Sequence, residues 1–370
     1  MHAAIVFRDF KQGLAKELSR FNANQARCAL GAAMAALCAV LIANWLNLEK
    51  PYWAGISALV VSRSSYDASL IKGTLRIIGT IAGCLLALIL LGTFIDNVFA
   101  ILCLIFFASV ATVMVSSLRG RDSYAWSMAG FMIVLLSIAG LVVPHSIFNF
   151  AFYRTFEISL GTIMAIIMSA IFNPSPPETD KTSQPSTTPS ANTDNHPDTN
   201  KMTAKQESEL VKQAISLALA MVSVPLIWKW LDLPGVLQIG VTSLILLQPT
   251  PVETWRKGIL RLLGCVTGGS IGLFLLGSTA GHYLITWGAA YGLLIFIFSY
   301  IDHGDPRCSY MGLQAGIALT LTLVQGLGPG TELGPPITRL CGILAGLILW
   351  NIIHALFERN NPDPIDEAKN

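Results

Sequence analysis

Lys72-Gly73-Thr74-Leu75-Arg76-Ile77-Ile78-Gly79-Thr80-Ile81-Ala82-Gly83 returns later in the chain as Lys257-Gly258-Ile259-Leu260-Arg261-Leu262-Leu263-Gly264-Cys265-Val266-Thr267-Gly268. Lysine, arginine and three glycines recur in the same order at an offset of 185 residues (257 − 72, 261 − 76). The same offset pairs Arg27 with Lys212, Gly92 with Gly277, Arg154 with Arg339 and Gly161 with Gly346. A register that holds without a gap from Arg27 to Gly161 predicts two homologous halves. Each carries a basic cluster at the mouth of an apolar helix, so whatever the protein handles meets positive charge from both.

The solvent of those helices follows from composition. A chain of 370 residues could form two or three soluble domains, but it is 53% hydrophobic and 12% charged, with a mean hydropathy of +0.59. Soluble domains carry about 25% charged residues, and here apolar runs close to the length of a bilayer span recur throughout. Lipid is therefore the expected surrounding. A net charge of +2 gives no footprint for nucleic acid. The seven cysteines, at 28, 38, 84, 103, 265, 308 and 341, lie mostly inside apolar runs and form neither CxxC pairs nor a disulfide framework. The basic N-terminus leads into an apolar run without a small-residue cleavage site, which predicts no removable signal peptide. No HExxH, GxSxG, Walker A or Cys/His cluster is present, so the sequence predicts no enzyme, metal or cofactor, and transport would have to run on a gradient, on the membrane potential, or downhill.

Residues 5–22 place Phe7, Phe10, Leu14, Leu18 and Phe21 at helical spacing among basic residues, the pattern of an amphipathic helix on a membrane surface. Apolar segments follow at 28–46, 52–62, 75–92, 98–117, 124–143 and 152–172, then at 211–230, 235–248, 259–277, 281–300, 309–327 and 338–357. Only the second of each half is too short to span comfortably. One gives way to Ser62-Arg63-Ser64-Ser65-Tyr66-Asp67, the other to Gln248-Pro249-Thr250-Pro251. Backbone that leaves a helix at membrane depth must be covered by protein or line a wet cavity, so a short segment repeated in both halves points to the binding site. The polar end is expected either to continue as a helix facing the interior or to be a break shielded by neighbours.

Lys and Arg cluster on alternate connections, which by the positive-inside rule puts both termini and the linker in the cytoplasm, with six crossings per half. Halves with an even number of crossings point the same way. The predicted fold is an all-α integral membrane protein of twelve transmembrane helices, two parallel six-helix repeats about a pseudo-two-fold axis along the membrane normal. Its parts are a cytoplasmic amphipathic segment (1–26), a first repeat (27–173), a cytoplasmic linker (174–205) whose Pro, Ser, Thr, Asn and Asp predict disorder, a second repeat (206–358) and a cytoplasmic tail (359–370).

Arginine at a helix centre in hydrocarbon costs about 2.5–3.5 kcal/mol, so such residues face a cavity or a partner. Arg76 and Arg261 open the third segment of each half, with Lys72 and Lys257 one turn earlier on the same face. They read as an anion-gathering vestibule, or, for the lysines especially, as topology signals snorkelling to headgroups. Arg154 and Arg339 sit at the outer end of the last segment, where the positive-inside rule would not place them; anion binding and a structural salt bridge both fit. Glu157 lies one turn from Arg154, but its counterpart is Gly342, which makes Glu157 the candidate proton-coupling carboxylate. Asp67 and Glu253 are weaker candidates. In the short second segments, Trp53 answers to Gln238 and Ser57 to Thr242, groups suited to a substrate carboxylate or hydroxyl. Gly79 with Gly83 and Gly264 with Gly268 read as packing pairs, and Arg121-x-Ser123-Tyr124, echoed by Arg307-x-Ser309-Tyr310, as helix caps.

Pro51-Tyr52-Trp53-Ala54, the polar loop after it, and Arg76-x-x-Gly79-Thr80-x-x-Gly83 resemble the fusaric acid resistance family, also called aromatic acid exporters, and more distantly the plant aluminium-activated malate transporters. The likeness covers roughly 20–172 and 205–358; the second half departs from it with Leu233-Pro234-Gly235 in place of Pro-Tyr-Trp and Cys265 in place of the threonine. The resemblance implies export of aromatic or other organic carboxylates across an inner membrane and, for some members, a periplasmic adaptor. Many members carry a large cytoplasmic domain, where this chain has only its linker. The expected partners are thus the bilayer and an organic anion, and a homodimer is compatible with the sequence. The rival readings are a passive anion channel and a non-transporting membrane scaffold.

Overall fold

The computed structural model describes residues 2–118, 120, 122–174, 204–231, 251–278 and 283–325, with a few further positions between 334 and 352. These residues are helical with short connections: α1 (His2–Ser19), α2 (Ala23–Trp45), α3 (Tyr52–Val61), α4 (Tyr66–Phe94), α5 (Val98–Leu118), α6 (Ser123–Val142), α7 (Ile147–Phe172), α8 (Ala204–Leu231), α9 (Pro251–Leu276), α10 (Leu284–Asp302) and α11 (Ser309–Leu323). Each segment expected in the first half is a helix, and α8 to α11 answer to four of those expected in the second. The segment 235–248 and most of the linker and tail lie outside the described residues, and 338–357 is described only in part. Among the described residues, eight helices are long and apolar enough to cross a membrane. The chain is a multi-pass membrane protein.

Local chemistry sets the joints. Asn22 caps α2, its side chain accepting from the N–H groups of Asn24 and Gln25. At the other end Asn47 takes a left-handed φ of 54°. There the Leu48 N–H donates to Ala43 and the Asn47 N–H to Asn44, a Schellman ending that turns the chain back. Pro51, with its ring-fixed φ of −53°, then starts α3.

Two compact units divide the chain, and each draws on both sequence halves. One contains Met1–Ile78, Phe152–Asn200 and Pro251–Leu340; the other contains Gly79–Ala151, Lys201–Thr250 and Cys341–Asn370. In the first unit, α2 and α3 pack on α10 and α11 through a core of Ala36, Ala39, Val40, Leu59, Tyr291 and Leu319. The approach is close: a Cβ on Gly55 would lie 2.8 Å from Val40 and 2.9 Å from Thr320. In the second unit, α5 packs on α6 and α8.

The glycine pairs do what small-residue spacing predicts, and they also correct the register. Gly79 and Gly83 abut the Ala125 and Ala129 carbonyls, while Gly264 and Gly268 abut those of Met311 and Ala315. The glycines are related by 185 but their targets by 186 (311 − 125, 315 − 129). The repeat is therefore shifted by one residue across α6 and α11, where Met128 answers to Gln314, and the 185 spacing returns at Arg154 with Arg339 and Gly161 with Gly346.

The amphipathic N-terminal segment is a helix, and part of its surface is committed to the protein. Lys16 Nζ lies 3.2 Å from Asp305 Oδ2, Glu17 Oε1 accepts the Asp305 N–H at 2.8 Å, and Gln25 Nε2 donates to both Glu17 and the Tyr300 carbonyl at 2.6 Å. Phe21 stacks on Tyr300, their ring centroids 6.2 Å apart. Phe7 and Arg8 on the helix remain exposed.

Candidate functional site

At about 1.5 Å per residue, the ten residues of α3 reach roughly 15 Å, half the hydrocarbon thickness. Beyond it the backbone breaks, and its neighbours shield the break. Ser62 Oγ donates to the Ala58 carbonyl at 2.9 Å, and the Arg63 N–H donates to Ser69 Oγ at 3.0 Å. From α7, Ser169 Oγ donates to Ser69 Oγ at 2.9 Å, and the Asn173 carbonyl accepts the Tyr66 N–H at 2.9 Å. Of the two outcomes expected for this polar end, the shielded break is the one observed.

The two sides of α3 differ in chemistry. Gly55 and Leu59 turn to α11, where a Cβ on Gly316 would lie 3.3 Å from Leu59. Trp53 and Ser57, one turn apart on another face, turn to α4 and α7. Arg76 Nη2 of α4 donates to Ser57 Oγ at 3.4 Å. The Arg154 guanidinium of α7 stands 5.3 Å from the Trp53 ring centroid, within cation–π range. The four first-half candidates, Trp53, Ser57, Arg76 and Arg154, thus converge at the junction of α3, α4 and α7.

Arg154 and Glu157 are wholly buried. Arg154 Nη1 lies 2.5 Å from Glu157 Oε2, and Glu157 Oε1 accepts the Lys50 N–H at 2.6 Å. The carboxylate thereby accepts a backbone donor of the connection into α3.

In the second half, Arg261 is buried as Arg76 is, 4% against 6% exposed. Its partner is different: Nη1 donates to Gln314 Oε1 at 2.7 Å. Lys257 Nζ stands 5.4 Å from the Tyr310 ring centroid. Gln238, Thr242 and Arg339 lie outside the described residues, as does the side chain of Glu253, and Asp67 is exposed. Gln314 was not singled out by the sequence reading. Its signal is an amide in the middle of the apolar run 309–327, hidden by a register that matches the wrong residue of α6.

The motif read as a cap does other work. The N-cap residues of α6 and α11 are Asp122 and Cys308, neither with a side-chain cap bond. Arg307 instead grips Asp305, Nε at 2.9 Å from Oδ1 and Nη2 at 2.9 Å from Oδ2. Those bonds, aided by Lys16, hold the Asp305 carboxyl well below the usual carboxylate range. Burial pushes the neighbouring Cys308 thiol up to about 12, keeping it protonated and inert.

A family model described as the Fusaric acid resistance protein family matches residues 25–192, and one described as Fusaric acid resistance protein-like matches 219–353. Among curated proteins, a p-hydroxybenzoic acid efflux pump subunit AaeB from Musicola paradisiaca is 28% identical over 158 residues. Proteins of the same name from Citrobacter koseri and Escherichia coli K12 are 32% and 31% identical over 158 residues. Each match covers 40% of this chain and 24% of the relative, so the matched region spans about a quarter of those proteins. No solved structure matches.

Proposed function

We propose that this chain, which belongs to the fusaric acid resistance protein family, exports organic anions from the cytoplasm, aromatic carboxylates foremost. The observation that carries the reading is the junction of α3, α4 and α7, where two buried guanidinium groups and an indole ring converge on a short helix. A benzoate-type solute asks for that combination: bidentate donors for its carboxylate and an apolar, polarisable wall for its ring. Arg76 and Arg154 draw in and hold the anion, Trp53 and Ser57 shape its seat, and Glu157 couples the cycle to protons. Arg261 supplies the matching field in the second half, and Gln238, Thr242 and Arg339 complete that half. The relatives' printed name, an efflux pump subunit for p-hydroxybenzoic acid, supports the solute class.

The same reading takes the chain to be twelve helices in two parallel six-helix repeats, in an inner membrane, with both termini cytoplasmic. A periplasmic adaptor and a second copy of the chain are the proposed protein partners.

Flux of radiolabelled p-hydroxybenzoate from proteoliposomes tests the reading. A hydrogen bond to a charged group contributes about 1.5–3 kcal/mol, so Arg76→Ala and Arg261→Ala are each expected to weaken apparent affinity on the order of tenfold to a hundredfold while leaving a folded protein. Flux unchanged in both variants would retire the proposal.

A further inference from the structure

Glu157 occupies the guanidinium that the carboxylate solute is meant to use. Arg154 faces it at 2.5 Å and the Lys50 N–H at 2.6 Å, with the Trp53 ring over the guanidinium. Glu49, on the connection into α3, is the further charged group that acts on it, and the Lys50 ammonium stands 3.8 Å from the Glu49 carboxylate. Resting on the export reading, we infer that an incoming carboxylate displaces Glu157 from Arg154 and that Glu157 takes up a proton as it is displaced, so that solute and proton are bound together.

The chemistry follows from burial. Arg154 and Glu157 are both 0% exposed, and a buried charge left without its partner is strongly destabilising. When a carboxylate takes the guanidinium, the charge on Arg154 is again compensated. Glu157 then keeps only the Lys50 N–H and stands beside a second anion. Two carboxylates sharing one site cannot both stay ionised, and the one that loses its counter-ion is the one that takes the proton. Water supplies it. Nothing is oxidised or reduced, and no covalent bond forms except O–H on Glu157. The bound state gains one negative charge from the solute and one positive charge from the proton, so binding at this site is electroneutral.

The repeat fixes the stoichiometry. Arg154 has Arg339 as its counterpart, but Glu157 has Gly342. One half carries the exchangeable carboxylate and the other does not, which gives one proton per chain.

Isothermal titration of the purified full chain with benzoate, in buffers of different ionisation enthalpy, reads the proton directly. The wild type is expected to take up about one proton per benzoate near neutral pH, and its apparent Kd should rise about tenfold per pH unit, as linkage requires. Glu157→Gln keeps the shape and the Lys50 acceptor but cannot exchange a proton; it is expected to bind benzoate with no uptake and with a Kd that no longer follows pH. Should the variant fail to fold, the pH dependence of wild-type affinity decides alone. Benzoate binding to the wild type without proton uptake overturns this inference and leaves the export reading standing. No binding of benzoate or p-hydroxybenzoate at all overturns both.

Discussion

Arg76 and Arg261 occupy the same place in a duplicated sequence and solve the cost of burial differently. One donates to a serine hydroxyl on α3 at 3.4 Å, the other to an amide oxygen on α11 at 2.7 Å. The shorter, better-formed bond should matter more to folding. Gln314→Met, which installs the residue that α6 carries at Met128, is expected to lower stability by about 1.5–3 kcal/mol, and Ser57→Ala by less. Thermal unfolding of the two variants in the same detergent compares them directly, and a larger loss for Ser57→Ala would contradict the ranking. The arginines themselves were visible in the sequence, since a guanidinium inside an apolar run is conspicuous. Their partners were not, because Ser57 lies 19 residues from Arg76 and Gln314 lies 53 residues from Arg261, separations that no helical period connects.

Helix α7 shows how elements here are held. In its middle, Gly161 abuts the Ala54 carbonyl of α3 and Glu157, one turn earlier, clasps the Lys50 N–H; at its C-terminal end Ser169 and Asn173 clasp the α3–α4 turn. A methyl group at Gly161 has no space, so Gly161→Ala should cost about 1–3 kcal/mol or more through overpacking. Gly92→Ala, where nothing lies within 4 Å, should be neutral or gain up to about 1 kcal/mol from helix propensity. Equal thermal shifts for the two would remove the packing argument. The docking of α1 carries a pH signature. Because Arg307 and Lys16 depress the Asp305 carboxyl in the folded protein, its contribution is complete above the unfolded value of about 3.9 and is lost as pH falls below it towards the depressed folded value. Protection of residues 2–19 against hydrogen exchange, taken relative to the unfolded chain at the same pH, should therefore fall as the medium is acidified through that range, and Asp305→Asn should show the low protection already at neutral pH. Exchange that ignores both changes would show that other contacts hold α1. The helices of the first half were legible as apolar runs, because lipid demands them, but their starts were not: α4 begins at Tyr66 and α7 at Ile147, ahead of the runs expected from 75 and 152. The attachment of α1 to residues 300–307 was not, since charge pairs almost 300 residues apart leave no local trace.

At the scale of the whole molecule, the duplication predicts where charge recurs but not which surfaces meet. The sequence suggests a watery route shared between the halves. Where α3 of the first half meets α11 of the second, however, Gly55 and Leu59 lie in close contact with Thr320 and Gly316, while Trp53, Ser57, Arg76 and Arg154 gather on the side of α3 that faces α4 and α7. The proposed route for the solute therefore passes the α4 and α7 side of α3 rather than its contact with α11, the seam. Cysteines placed on the two faces of this one helix separate the alternatives. In a background with the seven native cysteines replaced, Ser57→Cys is expected to react with a small water-soluble maleimide while the protein turns over, and benzoate should slow the reaction. Leu59→Cys, two residues away but turned to Gly316, should stay unlabelled under the same conditions. The reverse pattern, with Leu59→Cys labelled and protected by benzoate, would put water in the seam and move the route there, because two positions about 3 Å apart along the helix axis differ in access only through the face they present.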